Sequence, residues 1–478
     1  MGKMAMLSVA ASDRAGQVLR NDNARAVARA GRYFVELRKS DIIPLPEGAS
    51  LMRLPGRVPV GADVSSGEFV QAGPGEAIAA ILPQGYTRTF VPAYVSQSHT
   101  SRTSHTPGPR YPHGQAYTHA CGDDAQAPVL PLFGYSAVAF DGDQMVVAAV
   151  RTDERDSWDP SHYNLPELPS LAEAALKAHA GNRVLRQLAR CALEYQCYTA
   201  QNMFYRRWEA GIPVSPTCNA RCVGCISKQP SECCPSPQQR IDFVPRVDEV
   251  VELALPHLEE APRAIISFGQ GCEGEPTNEW RVIAEACRAV RARTRRGTLN
   301  INTNAGNVEA IEALCDAGMD SFRVSLVSAR PRYYERYHRP RGYALADVER
   351  SIAAARSRGA FVSINYLTFP GFTDLEPEVD AVCALIERTD VQMVQFRNLN
   401  IDPEVFCGLM LEERGELHEP GEAAGPTGPD EPDEPAEPAE PDEPDESDEP
   451  AGIAQAVAHL QDCFPDLIIG NFSVALRD

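Results

Sequence analysis

Three cysteines, Cys218, Cys222 and Cys225, stand at C-x3-C-x2-C spacing on one short stretch. Three thiolates on a compact loop can hold three irons of a four-iron, four-sulfur cluster. The fourth iron is then left without a protein ligand and open to another molecule. Three cysteines with a distant His or Cys would also suit zinc. Cys233 and Cys234 lie close enough to supply a fourth ligand, but their Pro- and Gln-rich surroundings read them as incidental.

A second stretch, Ser267-Phe268-Gly269-Gln270-Gly271-Cys272-Glu273-Gly274-Glu275-Pro276-Thr277, leaves an expected strand and enters a helix. Its glycines let backbone approach a ligand closely. A carboxylate and free carbonyls there can bind a cationic amine.

Regular alternation positions both stretches. Strand patterns recur at 211–215, 264–268, 299–302, 322–326, 361–366 and 391–396, with helical patterns between them. Such alternation implies parallel strands and right-handed crossovers. The expected class is α/β: a partial (β/α)6 TIM-like barrel over residues 211–411. Its reactive residues follow the strands, where α/β barrels place their sites.

The remaining chain divides by pattern. Residues 1–30 read as a loose or helical leader, and 31–151 as a β-rich domain that could close the barrel mouth. Two apolar runs near its end, at 135–140 and 145–150, flank Asp141-Gly142-Asp143-Gln144 and predict a hairpin. Residues 96–128 carry His99, His105, His113, His119 and Cys121 without metal-finger spacing, and read as a polar loop. Residues 152–210 form a linker and one long helix from Asn182 to Glu209. Its apolar stripe of Val184, Leu188, Cys191, Tyr195 and Tyr198 makes Cys191 and Cys197 packing residues. Residues 412–450 are an acidic, Pro-rich insertion with proline at every third position from Pro429 to Pro444, expected to be a disordered spacer. Residues 451–478 resume as a helix and strand packing on the barrel.

Charge and cysteine use exclude several functions. Of the net charge of −21, −16 falls between Glu412 and Glu449. The rest has no basic excess to recruit nucleic acid or an anionic membrane. No run is long and apolar enough for a membrane span. Fourteen cysteines scattered over 478 residues are not a disulfide scaffold. With no secretory pattern at the N-terminus, the expected location is cytoplasmic.

Taken together, the cysteine triplet and Glu273-Gly274-Glu275-Pro276 resemble the radical S-adenosylmethionine (radical SAM) superfamily. The resemblance covers about residues 211–400. It implies a [4Fe–4S] cluster on Cys218, Cys222 and Cys225, with S-adenosylmethionine on the open iron. Reductive cleavage would give a 5′-deoxyadenosyl radical that abstracts a substrate hydrogen. The segment Glu273–Pro276 looks like the family's Gly-Gly-Glu-Pro motif, which binds the methionyl amine; Glu273 replaces its first glycine. Cofactor contacts carried over by position are Gly274, Glu275, Pro276, Asn304 in the Thr-Asn-Gly-like turn, Ser325 for the ribose, Gly371 and Asn398. Gly224 stands where many relatives carry an aromatic residue. Cys272 reads as a buried small residue, with hydrogen-atom donation as the sharper alternative. The implied partners are a small-molecule or peptide substrate and an electron donor such as flavodoxin or ferredoxin. The rival reading is a non-catalytic Fe–S or zinc redox sensor, which needs four protein ligands. A third is an interaction protein acting through the acidic spacer.

Overall fold

The computed structural model describes residues 6–73, 75–96, 128–229, 234–411 and 449–477. The polar loop with its four histidines and Cys121, Cys233, and nearly all of the acidic insertion lie outside the described residues.

The N-terminal part is a twelve-stranded sheet whose pairings are antiparallel. The expected leader is wrong: residues 7–30 supply two strands at its centre, Leu7–Ser12 and Val18–Ala30. The alanine-rich end of the second strand is not helical, although alanine favours a helix. In the strand, Ala24, Ala26, Ala28 and Ala30 alternate with Arg25, Val27 and Arg29, and all of these but Arg25 are buried. The hairpin forms as expected, with Phe140 opposite Met145 and Asp141 opposite Gln144.

The single long helix is also corrected. Two helices, α1 (Arg183–Leu193) and α2 (Tyr198–Tyr205), replace it. They part where Gln196 turns to φ +52°, which a continuing helix does not allow.

The second layer is a parallel sheet of seven strands in chain order: β1 (Glu209–Gly211), β2 (Ile265–Phe268), β3 (Thr298–Thr303), β4 (Ser321–Leu326), β5 (Phe361–Thr368), β6 (Met393–Asn398) and β7 (Ile468–Gly470). Six strands were expected in the main run. The seventh comes from the terminal segment and pairs with β6, Met393 opposite Ile468. Helices α3 (Val247–Glu260), α4 (Trp280–Arg291), α5 (Val308–Asp316), α6 (Pro331–His338), α7 (Leu345–Ser357), α8 (Glu376–Thr389), α9 (Pro403–Met410) and α10 (Ile453–Cys463) follow. Among the described residues, no helix is long and apolar enough to cross a membrane.

Each strand of the half-barrel has two faces. Ile266, Phe268, Leu299, Ile301, Phe322, Val324, Val362, Ile364, Val394 and Phe396 point one way, into the core shared with the helices. The intervening residues, Glu209, Ser267, Asn300, Arg323, Ser325, Ser363, Asn365, Gln395 and Arg397, share the other, inner face. Parallel strands buried on both sides are usually apolar throughout. Here the inner face is polar, and it lines a lumen.

The N-terminal sheet packs on the carboxyl ends of β5 and β6. Gly31 N–H donates to Pro370 O at 2.9 Å. Arg88, fully buried, donates to Leu399 O at 2.8 Å, and Arg57 meets Asp402 at 2.9 Å.

Candidate active site

The cysteine loop follows β1 and is held from several sides. Arg221 N–H donates to His338 O at 3.0 Å and Val223 N–H to Tyr337 O at 3.1 Å, both at the end of α6. Gln229 Nε2 donates to Val223 O and Cys225 O at 3.1 and 2.7 Å. A loop fixed through its backbone leaves its side chains free to serve a ligand.

All three cysteines are half-buried. Burial pushes the Cys218 and Cys222 thiols up, and the other thiols of the set add to the effect at Cys222. Such thiols ionise together only around a cation, which is what iron supplies. Among the described residues, the only Cys, His or carboxylate trio with all ligand atoms within 4.8 Å lies elsewhere. At least one pair of the three loop sulfurs is therefore more than 4.8 Å apart, beyond the roughly 3.8 Å edge of a zinc–thiolate tetrahedron.

Two donors reach these sulfurs from outside the loop. His338 Nδ1 is 3.4 Å from Cys222 Sγ, and its Nε2 accepts Val327 N–H at 3.3 Å. That second bond places the neutral ring's proton on Nδ1, aimed at the sulfur. Burial pushes the His338 pKa down to about 3, which keeps the ring neutral. Arg240 Nη2 lies 3.5 Å from Cys225 Sγ. Neither residue was singled out from the sequence, where nothing ties them to the triplet.

The glycine-rich turn after β2 lies against the cysteine loop. Gly274 N–H donates to Ser215 O at 2.7 Å and Glu275 N–H to Thr217 O at 2.8 Å. A Cβ on Gly274 would sit 1.9 Å from Thr217 O, so only glycine permits this approach. Glu273, in place of the motif's first glycine, has a structural task. Its carboxylate accepts four backbone N–H groups: Val214 at 2.7 Å, Ser215 at 2.9 Å, Gly269 at 2.8 Å and Gln270 at 2.6 Å. It clasps the end of β1 to the end of β2. Burial pushes its pKa up to about 7, against the pull of those four donors.

Glu275 ties the turn to β3 by accepting from Thr303 Oγ1 at 2.5 Å and Asn304 N–H at 2.9 Å. Asn304 Nδ2 in turn donates to Asn219 Oδ1 in the cysteine loop at 2.6 Å. Cys218, Gly274, Glu275 and Asn304 therefore form one connected set. Pro276, buried, begins the short helix that follows.

The other residues singled out from the sequence lie further along the strand ends and in the core. Ser325 is half-buried on the inner face of β4. Gly371, at φ +81°, has its missing Cβ position 1.8 Å from Gly31 N and packs on the N-terminal sheet. The Asn398 side chain accepts Arg88 N–H at 2.8 Å and donates to Tyr86 O at 2.9 Å. The Cys272 thiol is buried and hydrogen-bonded to Cys191 of α1. At Gly224, a Cβ would lie 2.5 Å from the Tyr337 hydroxyl. Tyr337 of α6 thus packs directly against Gly224.

The lumen below completes the site. Ser267 Oγ donates to Glu209 Oε1 at 2.6 Å, Asn300 Nδ2 to Ser267 Oγ at 2.9 Å, and Arg397 Nη1 to Asn471 O at 2.8 Å. Arg323 meets Gln395 only at 3.5 Å, and its buried Nε and the buried Oδ1 of Asn365 lack partners. Polar alternation in two expected strands, Leu299-Asn300-Ile301-Asn302 and Phe322-Arg323-Val324-Ser325-Leu326, was the available signal for this lining.

A model of the Radical SAM superfamily matches residues 212–381, from the end of β1 into α8. This part of the chain matches a radical SAM domain. No curated protein matches the chain. Solved structures similar to it include SuiB of Streptococcus suis bound to precursor peptide SuiA, at 12% identity and TM-score 0.30, covering 53% of this chain and 60% of that one. The [FeFe]-hydrogenase maturase HydG of Carboxydothermus hydrogenoformans is 16% identical at TM-score 0.29, over 48% and 57% of the two chains. The radical SAM methyltransferase TsrM of Kitasatospora setae, with cobalamin and a [4Fe-4S] cluster, is 19% identical at TM-score 0.30, over 42% and 39%. The matched regions span less than two thirds of these three proteins, and overlays at such scores say nothing about substrate. In the radical SAM domain, the cysteine loop and the Glu273–Pro276 turn sit on neighbouring strand ends, in register through Gly211 and Ser267.

Proposed function

We propose that the protein is a radical SAM enzyme whose Cys218, Cys222 and Cys225 hold a [4Fe–4S] cluster beside an S-adenosylmethionine site built on Gly274, Glu275 and Asn304. The observation that carries this is the backbone pairing of the glycine-rich turn with the cysteine loop. It brings the candidate amine site against the candidate cluster site. The cluster and S-adenosylmethionine supply reductive cleavage and a 5′-deoxyadenosyl radical; the chain supplies position and shelter. The N-terminal sheet covers the ends of β5 and β6, limiting water at that side of the mouth. Arg323 and Arg397 favour a substrate, small molecule or peptide, that carries an anionic group into the lumen. A flavodoxin- or ferredoxin-like donor delivers the electron, and the cytoplasm is the compartment that suits the chemistry.

The test is anaerobic reconstitution with iron and sulfide, then dithionite and S-adenosylmethionine. 5′-Deoxyadenosine should form, and Cys222→Ala should lose both cluster and product. Full iron content with no S-adenosylmethionine binding or cleavage would instead favour the redox-sensor reading.

A further inference from the structure

Three metal-ligating side chains meet far from the cysteine loop in sequence. His459 and Cys463 are four residues apart on α10, so they share one helix face. Cys383 reaches the same spot from α8. Their ligand atoms all lie within 4.8 Å of one another, and Cys463 Sγ is 3.5 Å from His459 Nε2. An edge of that length matches a metal tetrahedron with bonds of about 2.0 Å to nitrogen and 2.3 Å to sulfur. The surroundings favour a cation. Asp380 and Glu387 flank Cys383 by one helical turn each and add negative charge there. His459 and Cys463 are exposed, so an ion can enter and one coordination position faces solvent.

We propose that Cys383, His459 and Cys463 form a second metal site, separate from the cluster, that takes one Zn²⁺ with solvent as fourth ligand. Two thiolates and one imidazole are a soft-to-borderline set, which suits zinc over magnesium or calcium. The ion joins α10 to α8. That matters because α10 resumes the fold after the long acidic insertion and leads into β7. Both helices also contribute to the shared core, α10 through Leu460 and the partly buried Val457, α8 through Val382, Leu385 and Ile386. The site is a clamp on the last strand of the half-barrel rather than a reaction centre.

The full chain carrying its cluster is exposed to Zn²⁺ without oxygen and desalted. Zinc and iron are then counted beside His459→Ala and Cys463→Ser. Wild type should retain one zinc per chain, with sulfur and nitrogen ligands at the zinc absorption edge. Each variant should lose it, weakening affinity by more than the roughly 10- to 100-fold typical of a lost outer-shell partner. Iron content should not change, because both replaced residues are on the surface. Zinc should also raise the melting temperature of wild type but not of the variants. Three outcomes overturn the site: no retained zinc, wild-type zinc in both variants, or a Cys383–Cys463 disulfide in protein never exposed to oxygen. None of them depends on the cleavage of S-adenosylmethionine.

Discussion

His338 Nδ1 stands 3.4 Å from the sulfur of Cys222, while its Nε2 takes the backbone N–H of Val327. The imidazole thus acts as a fixed donor to one sulfur of the cysteine loop. A donor favours the more negative, reduced state of a cluster bound there. Replacing His338 with Leu should lower the midpoint potential by about 40 mV, if the bond favours the reduced state by about 1 kcal/mol. His338→Asn, which can still donate, should recover part of the shift. The potential is read by a redox titration followed by electron paramagnetic resonance. An unchanged potential in His338→Leu at full iron content would count against the role.

Gly224 and Tyr337 should be coupled. A Cβ at Gly224 meets the Tyr337 hydroxyl at 2.5 Å but its ring carbon only at 3.5 Å. Gly224→Ala should therefore cost about 1–3 kcal/mol through overpacking. Adding Tyr337→Phe, which removes the hydroxyl, should return part of that loss, since Asn400 O still lies 3.3 Å from the new Cβ and the hydroxyl's bond to the Gly224 backbone is given up. A double-mutant cycle on urea unfolding measures the coupling. Additive losses would mean that the ring moves aside freely.

Glu273 shows how far sequence could go. The cysteine triplet and the turn after β2 were legible because chemistry requires those residue types at short spacing. The departure at Glu273 could be seen but not interpreted, because its four N–H partners belong to two loops brought together only in the fold. The same limit hid His338 and Tyr337, whose helix is more than a hundred residues from the cysteines they approach. In the N-terminal part, the alanine-rich strand became legible only in the fold, where pairing within a large sheet overrides local propensity.

Glu273→Gln tests the clasp. An amide keeps one accepting oxygen, and its NH2 faces two N–H groups it cannot serve. The loss should be about 2–5 kcal/mol, from hydrogen bonds to a charged acceptor and the donors left unpaired. Thermal unfolding should report it, with reduced iron uptake because Val214 and Ser215 lead into the cysteine loop. Glu273→Asp, too short to span both loops, should not rescue it.

Arg323 offers the clearest separation of stability from function. Its guanidinium lies in the lumen with one weak partner, and burial pushes its pKa down, only partly opposed by Glu209. A charge held in this way costs stability in the free protein, and an apolar residue of similar length removes that cost. Arg323→Met should leave stability unchanged or raise it by about 1–4 kcal/mol. Substrate-free cleavage of S-adenosylmethionine should persist, since Arg323 makes no contact with the cysteine loop or the Glu273–Pro276 turn in the hydrogen bonds described. Binding of an anionic substrate should weaken by about 10-fold or more, as expected when a charge-assisted bond of about 1.5–3 kcal/mol is lost. Melting curves of both proteins against a panel of carboxylate and phosphate compounds read the two effects together. A compound that stabilises wild type but not Arg323→Met would identify the substrate's charged end. Equal stabilisation of both would remove Arg323 from substrate recognition.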